Sequence, residues 1–161
     1  MKKLITDSKK CTGCQACMIA CTGEHYQIYS TENARVKIVK LEDKGADIPI
    51  VCKQCKNAPC IKACPVAALF KNEQTNATLL NEGECIGCGI CAEACPFGAI
   101  VLDSNEYPLI CDLCKGSPKC AEICPVNAIK FEDTNKLVEK KRNKLAEREL
   151  TKNFKKWGIT I

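Results

Sequence analysis

Cys85-Ile86-Gly87-Cys88-Gly89-Ile90-Cys91-Ala92-Glu93-Ala94-Cys95-Pro96 decides how the rest of the chain is read. Its spacing is C-x2-C-x2-C-x3-C-P. The first three cysteines stand on one tight loop, so their thiols can converge on one small inorganic group. The fourth lies on a short helix, read at about Ile90–Ala94, and points the other way. Pro96 cannot extend a helix ladder and turns the chain away. Gly87 and Gly89, like Gly13 earlier, leave out a Cβ where backbone must approach closely and aim amide hydrogens inward.

Working outward, the sixteen cysteines form four sets of four with none left over. The first is Cys11, Cys14, Cys17 and Cys21, spaced C-x2-C-x2-C-x3-C. The second is Cys52, Cys55, Cys60 and Cys64, spaced C-x2-C-x4-C-x3-C and followed by Pro65. The third is the quoted Cys85, Cys88, Cys91 and Cys95. The fourth is Cys111, Cys114, Cys120 and Cys124, spaced C-x2-C-x5-C-x3-C and followed by Pro125. The third set matches the run that holds 4Fe–4S cubanes in bacterial ferredoxins: three cysteines reach three iron corners and the fourth serves the neighbouring cluster. Zinc ribbons pair two C-x2-C units a dozen or more residues apart and need no C-x3-C-P ending. A disulfide framework needs an oxidising compartment and does not explain a four-fold recurrence. All sixteen cysteines are therefore read as metal ligands, of four [4Fe-4S] clusters.

Composition agrees. One Trp, three Tyr and four Phe in 161 residues leave a thin conventional core, and small domains of that kind rely on metals. The clusters are expected to be the core and the apo-chain to be largely unfolded. The start, Met1 to Lys10, is polar after two apolar residues and lacks a signal-peptide apolar region. No stretch approaches the roughly 18 apolar residues of a membrane span. A cytoplasmic location is expected. The formal charge of +5 counts each cysteine as neutral. Four clusters of net −2 would bring the holo-protein to about −3, and no aromatics interleave the Lys and Arg residues as nucleic-acid stacking requires. No nucleic-acid partner is expected.

The motif starts Cys11, Cys52, Cys85 and Cys111 define four unequal repeats of one small unit. Strands are read at Ala77–Leu80, Ala99–Leu102 and Pro108–Ile110, with a turn at Asp103–Glu106, and Ala128–Phe131 occupies the place of Ala99–Leu102 after the fourth set. Val36–Leu41 and Ile48–Val51 flank Asp43-Lys44-Gly45 and read as a β-hairpin inserted between the first two sets, serving to cover the clusters or to contact a partner. From about Asn135 the chain reads as a basic helix, on which Ala146, Leu150, Phe154 and Trp157 make one apolar stripe for docking. His25, the single histidine, is read as exposed or as bonded behind a ligand, and Met18 as packing beside its cluster.

Four ferredoxin motifs in this order, the first without Pro after its last cysteine, resemble the four-cluster electron-transfer subunits of the dimethyl sulfoxide reductase iron–sulfur family. The likeness covers about residues 1–132. Cys52-Lys53-Gln54-Cys55 with Ala58-Pro59-Cys60, and Cys111-Asp112-Leu113-Cys114 with Pro118-Lys119-Cys120, carry it. The compact fourth motif, a departure from members with a longer spacer, is most similar to small subunits of tungsten aldehyde oxidoreductases and carbon monoxide dehydrogenases. The short strands, short helices and cysteine loops read as an α+β fold with the hairpin insertion and a C-terminal helix, and the resemblance implies that its cluster-binding part is two interleaved bacterial 2[4Fe-4S] ferredoxin-like modules. The outer module comes from motifs 11–21 and 111–124, the inner from 52–64 and 85–95, and residues 133–161 form a basic tail. It also implies crossed ligation. One cluster takes Cys11, Cys14, Cys17 and Cys124, and its neighbour Cys111, Cys114, Cys120 and Cys21. The inner pair takes Cys52, Cys55, Cys60 and Cys95, and Cys85, Cys88, Cys91 and Cys64. The four would lie in a line.

With every cubane fully ligated by thiolate, no iron offers a substrate site, and neither G-x-G-x-x-G nor a P-loop is present. No catalytic residue is assigned. The expected function is an electron-transfer subunit for a catalytic redox partner: a tungsten or molybdenum enzyme such as an aldehyde oxidoreductase, a carbon monoxide dehydrogenase, a formate dehydrogenase or a hydrogenase. A second electron carrier or a flavin subunit would complete the path. A free polyferredoxin and a structural scaffold are the other classes.

Overall fold

The computed structural model describes residues 2–156, with side chains through Thr151. Two compact units are present: Leu4–Phe131, and Met1–Lys3 with Glu132–Ile161. The structure mixes short helices with two-stranded sheets, as the α+β reading expects. In order, the elements are β1 (Lys2–Thr6), α1 (Ala16–Tyr26), β2 (Lys37–Leu41), β3 (Ala46–Ile50), α2 (Pro59–Ala63), β4 (Leu69–Lys71), β5 (Thr78–Leu80), α3 (Ile90–Glu93), β6 (Val101–Leu102), β7 (Pro108–Leu109), α4 (Lys119–Glu122), β8 (Ile129–Asp133) and α5 (Thr134–Lys156). The sheets pair β1 with β8, β2 with β3, β4 with β5 and β6 with β7. The last three pairs are antiparallel.

Each cysteine set runs through a loop into one short helix. The helices associate across the sequence: α1 packs on α4, and α2 on α3. Two cores follow the same division. Cys17, Met18 and Cys21 of α1 are buried with Leu4, Val36, Val51, Leu113, Cys120 and Ile129. Leu69, Cys91, Ile100 and Ile110 form the second, with Cys60, Cys64 and Cys95 against them. Met18 is packed as its sequence position implies, at 6% exposure.

β6 and β8 start later than the apolar runs that announce them, for a local reason. Ala99 spends its amide on the Cys95 sulfur at 3.4 Å, and Ala128 on the Cys124 sulfur at 3.1 Å. Neither amide is free for a ladder, so β6 and β8 begin after them. The hairpin forms where expected. Lys37 pairs with Ile50 and Leu41 with Ala46, and a 3-10 turn at Glu42–Lys44 closes on Gly45 at φ 56°.

From Val138 to Thr151 every side chain of α5 is exposed. Leu150 of the expected stripe is 52% exposed. The Phe154 side chain and Trp157 lie outside the described residues. Among those residues, no helix is long and apolar enough to cross a membrane.

Candidate metal centres

Four small cavities, each with about 300–330 Å3 of empty space, collect all sixteen cysteines, four apiece. One is lined by Cys11, Cys14, Cys17 and Cys124, with Ile38 of β2 and Ile129 of β8. The next is lined by Cys21, Cys111, Cys114 and Cys120, with Val36 and Val51. Cys52, Cys55, Cys60 and Cys95 surround the third, with Phe97 and Ile100. Cys64, Cys85, Cys88 and Cys91 surround the fourth, with Leu69 and Leu80. In each, two thiols come from one motif's loop and a third from the first turn of the helix that follows it. The fourth comes from another motif, within α1 for Cys21 and just past the helix for Cys64, Cys95 and Cys124. The loops achieve this through left-handed backbone at the residue before each second cysteine: Gly13 at φ 64°, Gln54 at 47°, Gly87 at 66° and Leu113 at 60°. A Cβ at Gly13 would also stand 2.5 Å from the Asp47 carboxylate on β3, which would have to swing aside.

The sulfurs are held as acceptors. Besides Ala99 and Ala128, Arg35 donates its amide to the Cys21 sulfur at 3.3 Å. Without metal the buried thiols resist ionisation. Burial pushes Cys17, Cys91 and Cys114 up to about 11 and Cys120 up to about 12, and neighbouring thiols add to this. Burial raises Cys111 well above its ordinary value. The pockets therefore need a strongly thiophilic cation to draw off their protons. Four thiols in an apolar shell, with amides on the sulfurs, suit an iron–sulfur cubane. Arg35 adds one more sign: its buried Nε has no protein partner among the described residues, and Arg35 lines the Cys21 cavity, where inorganic sulfide would supply an acceptor.

Beside that cavity stands a charged network that local spacing does not announce. His25 is not exposed; its side chain retains 9% of its accessible surface. It donates from Nδ1 to the Cys21 carbonyl at 2.7 Å and from Nε2 to Asp112 Oδ1 at 3.0 Å. Both partners are acceptors, so the ring carries both protons. The Asp112 hydrogen bond, with help from Cys21, pushes its pKa up to about 10. Burial works against ionisation of Asp112, but hydrogen bonds from His25 and the Cys114 amide, with the Arg35 charge, hold it at about 2. Arg35 Nη1 lies 3.1 Å from Asp112 Oδ2. His25, Asp112 and Cys114 place possible metal-ligand atoms within 4.8 Å of one another, yet both ring nitrogens of His25 are engaged as donors.

Residues 44–134, more than half of the chain, match the family model described as a 4Fe-4S dicluster domain. The chain belongs to the 4Fe-4S dicluster family. It is an iron–sulfur protein of the ferredoxin type, and residues 8–27 match a second model, a 4Fe-4S binding domain. Of its relatives, an uncharacterized ferredoxin of Methanocaldococcus jannaschii is 39% identical over 89% of this chain and 80% of its own length. The polyferredoxin-like subunit of an aliphatic sulfonate oxidoreductase from Pyrococcus furiosus is 43% identical over 72% of this chain and 66% of its own. Formate hydrogenlyase subunit 2 of Escherichia coli is 37% identical over 72% of this chain, which spans 55% of that subunit. Among solved structures, the active site complex BamBC of benzoyl coenzyme A reductase aligns with 92% of this chain and 90% of its own at 23% identity, with a TM-score of 0.49, too loose a likeness to carry an argument.

Proposed function

We propose that this dicluster-family chain is a non-catalytic electron-transfer subunit carrying four [4Fe-4S] clusters, which connects a catalytic oxidoreductase subunit to another electron carrier. The observation that carries this is the assembly of sixteen cysteines into four cavities of four, each crossed between two motifs. Cys11, Cys14 and Cys17 with Cys124, and Cys111, Cys114 and Cys120 with Cys21, form the outer module. Cys52, Cys55 and Cys60 with Cys95, and Cys85, Cys88 and Cys91 with Cys64, form the inner one. When bound, each cluster takes up and returns one electron. The protein's part is to hold the sulfurs, cover them with apolar side chains and steady their charge with amides.

Exposure gives the path two ends. Cys14 and Cys88 are the exposed cysteines of the sixteen, and they belong to cavities in different modules. Their cavities are where electrons enter and leave, and the other two stand between. Residues 1–132 make the cluster-bearing domain and 133–161 a tail. The tail's helix, exposed from Val138 to Thr151, is amphipathic in sequence and is read as a docking element for the catalytic subunit. Relatives named as subunits of sulfonate oxidoreductase and formate hydrogenlyase support a complex. The compact fourth motif, resembling that of tungsten aldehyde oxidoreductase small subunits, makes such an enzyme the leading partner.

Two experiments test this reading. Cys124→Ser is expected to alter the EPR signal of the cluster bound by Cys11, Cys14 and Cys17; a change confined to the fourth motif's own cluster contradicts crossed ligation. Removal of residues 136–161 is expected to abolish co-purification with a catalytic subunit. Unchanged co-purification would leave the tail without that role, and a chain that purifies alone before truncation would be a free polyferredoxin.

A further inference from the structure

The slot before each second cysteine is left-handed in all four loops, but only the exposed-end motifs fill it with glycine. The motifs of the Cys14 and Cys88 loops use Gly13 and Gly87, whereas the other two use Gln54 and Leu113 at φ 47° and 60°. A side chain in this conformation is strained, and such strain persists only where surrounding structure holds it in place. Both side chains are 1% exposed. Leu113 is an ordinary core residue. Gln54 is a buried amide whose partners lie in other segments of the chain.

Its Nε2 donates to the carbonyl of Cys111 at 2.6 Å, and its Oε1 accepts from the Thr78 amide at 2.8 Å and from Lys71 Nζ at 3.4 Å. Along the chain it lies inside the Cys52 loop itself, between Cys52 and Cys55. One residue thus ties the loop that carries Cys52 to the backbone of Cys111. The two thiols are near enough for charge on one to oppose charge on the other. A carboxamide is suited to this place: it donates on one side and accepts on the other, and leaves no buried backbone group unpaired.

We propose that Gln54 is a positioning residue at the joint of the two modules, fixing the Cys111 loop against the Cys52 loop and setting the reduction potentials of both central clusters. This rests on the four-cluster reading above. Hydrogen bonds and local charge are among the factors that set cluster potentials. Glu at position 54 keeps the acceptor for Thr78 and Lys71 but replaces the donor to Cys111 with an anion. Leu at 54 removes donor and acceptor together.

The test is an EPR-monitored redox titration of the anaerobic, full-length holo-protein and its Gln54→Glu and Gln54→Leu variants, with iron determined in each. Signals are assigned by Cys52→Ser and Cys111→Ser. The expected result is a fall in potential of both central clusters in Gln54→Glu and of the Cys111 cluster in Gln54→Leu, with the Cys14 and Cys88 clusters unmoved. Full iron content with an unmoved Cys111 cluster in both variants overturns the proposal. Should a variant bind less iron, loss confined to the Cys52 set also overturns it, and loss from both central sets together supports it. The wild-type iron count reports separately on the four-cluster reading, so the two failures are distinguishable.

Discussion

At the scale of single residues, positive φ and close approach decide what each loop tolerates. Gly13→Ala forces a Cβ into left-handed backbone and against Asp47, and the loss expected is about 1–3 kcal/mol. The denaturant midpoint of the iron-loaded protein measures it. Adding Asp47→Ala should recover the steric part and leave the backbone part, and a neutral single substitution would contradict the account. His25→Ala leaves Asp112 with one buried donor fewer and is expected to destabilise by about 1–3 kcal/mol. Because Arg35 and the Cys114 amide still hold Asp112, a double-mutant cycle with Asp112→Asn should be less than additive. The glycines of these loops are legible in the sequence, since C-x-G-C is a local pattern. The roles of Gln54 and His25 are not, because their partners are 57 and 87 residues away. The hint available was that Gln54 and Leu113 occupy the slot where the other motifs carry Gly.

At the scale of elements, the inserted hairpin has two unlike faces. Val36, leading into β2, is 3% exposed and lines the Cys21 cavity, and Ile38 lines the Cys11 cavity, whereas Val39 is 44% exposed. Covering the thiol pockets is thus a role the hairpin fills. Val36→Ala is expected to destabilise the holo-protein by about 2 kcal/mol, and Val39→Ala to stay within about 0.5 kcal/mol; thermal melts of the two variants compare them directly. The hairpin was readable because its β-branched runs and Asp-Lys-Gly turn are adjacent. The ends of β6 and β8 were not, because they depend on which sulfur claims the amides of Ala99 and Ala128. Helix α5 was readable from its uninterrupted polar run, but its purpose was not, since it is solvated from Val138 to Thr151. Chains of this kind gain helical stability chiefly from packing against something. Removing residues 134–161 is expected to leave iron content unchanged, measured on the purified truncation.

At the scale of the molecule, both cores contain cysteines, and clusters bound in the four cavities would add the packing that a thin apolar core lacks. Fourteen of the sixteen thiols are buried or half-buried. Burial raises the pKa of seven of them, Cys17, Cys52, Cys60, Cys91, Cys111, Cys114 and Cys120, so they hold their protons until metal binds them. Extraction of iron with a chelator under reducing conditions is expected to abolish the cooperative unfolding transition and collapse the far-UV circular dichroism. A folded, cooperative apo-protein would contradict the view that metal completes the core. The division into four sets was legible because it is a matter of spacing along the chain. Which sets share a cavity is a matter of how α1 meets α4 and α2 meets α3, contacts that no local pattern encodes and that only the resemblance supplied beforehand. The central claim is that all four cavities hold cubanes. Its most direct measurement is iron and acid-labile sulfide per chain in anaerobically purified protein, with an EPR spectrum after dithionite reduction. The expected result is about sixteen of each with signals broadened by interacting clusters; zinc in place of iron, or iron near half that value, would contradict it.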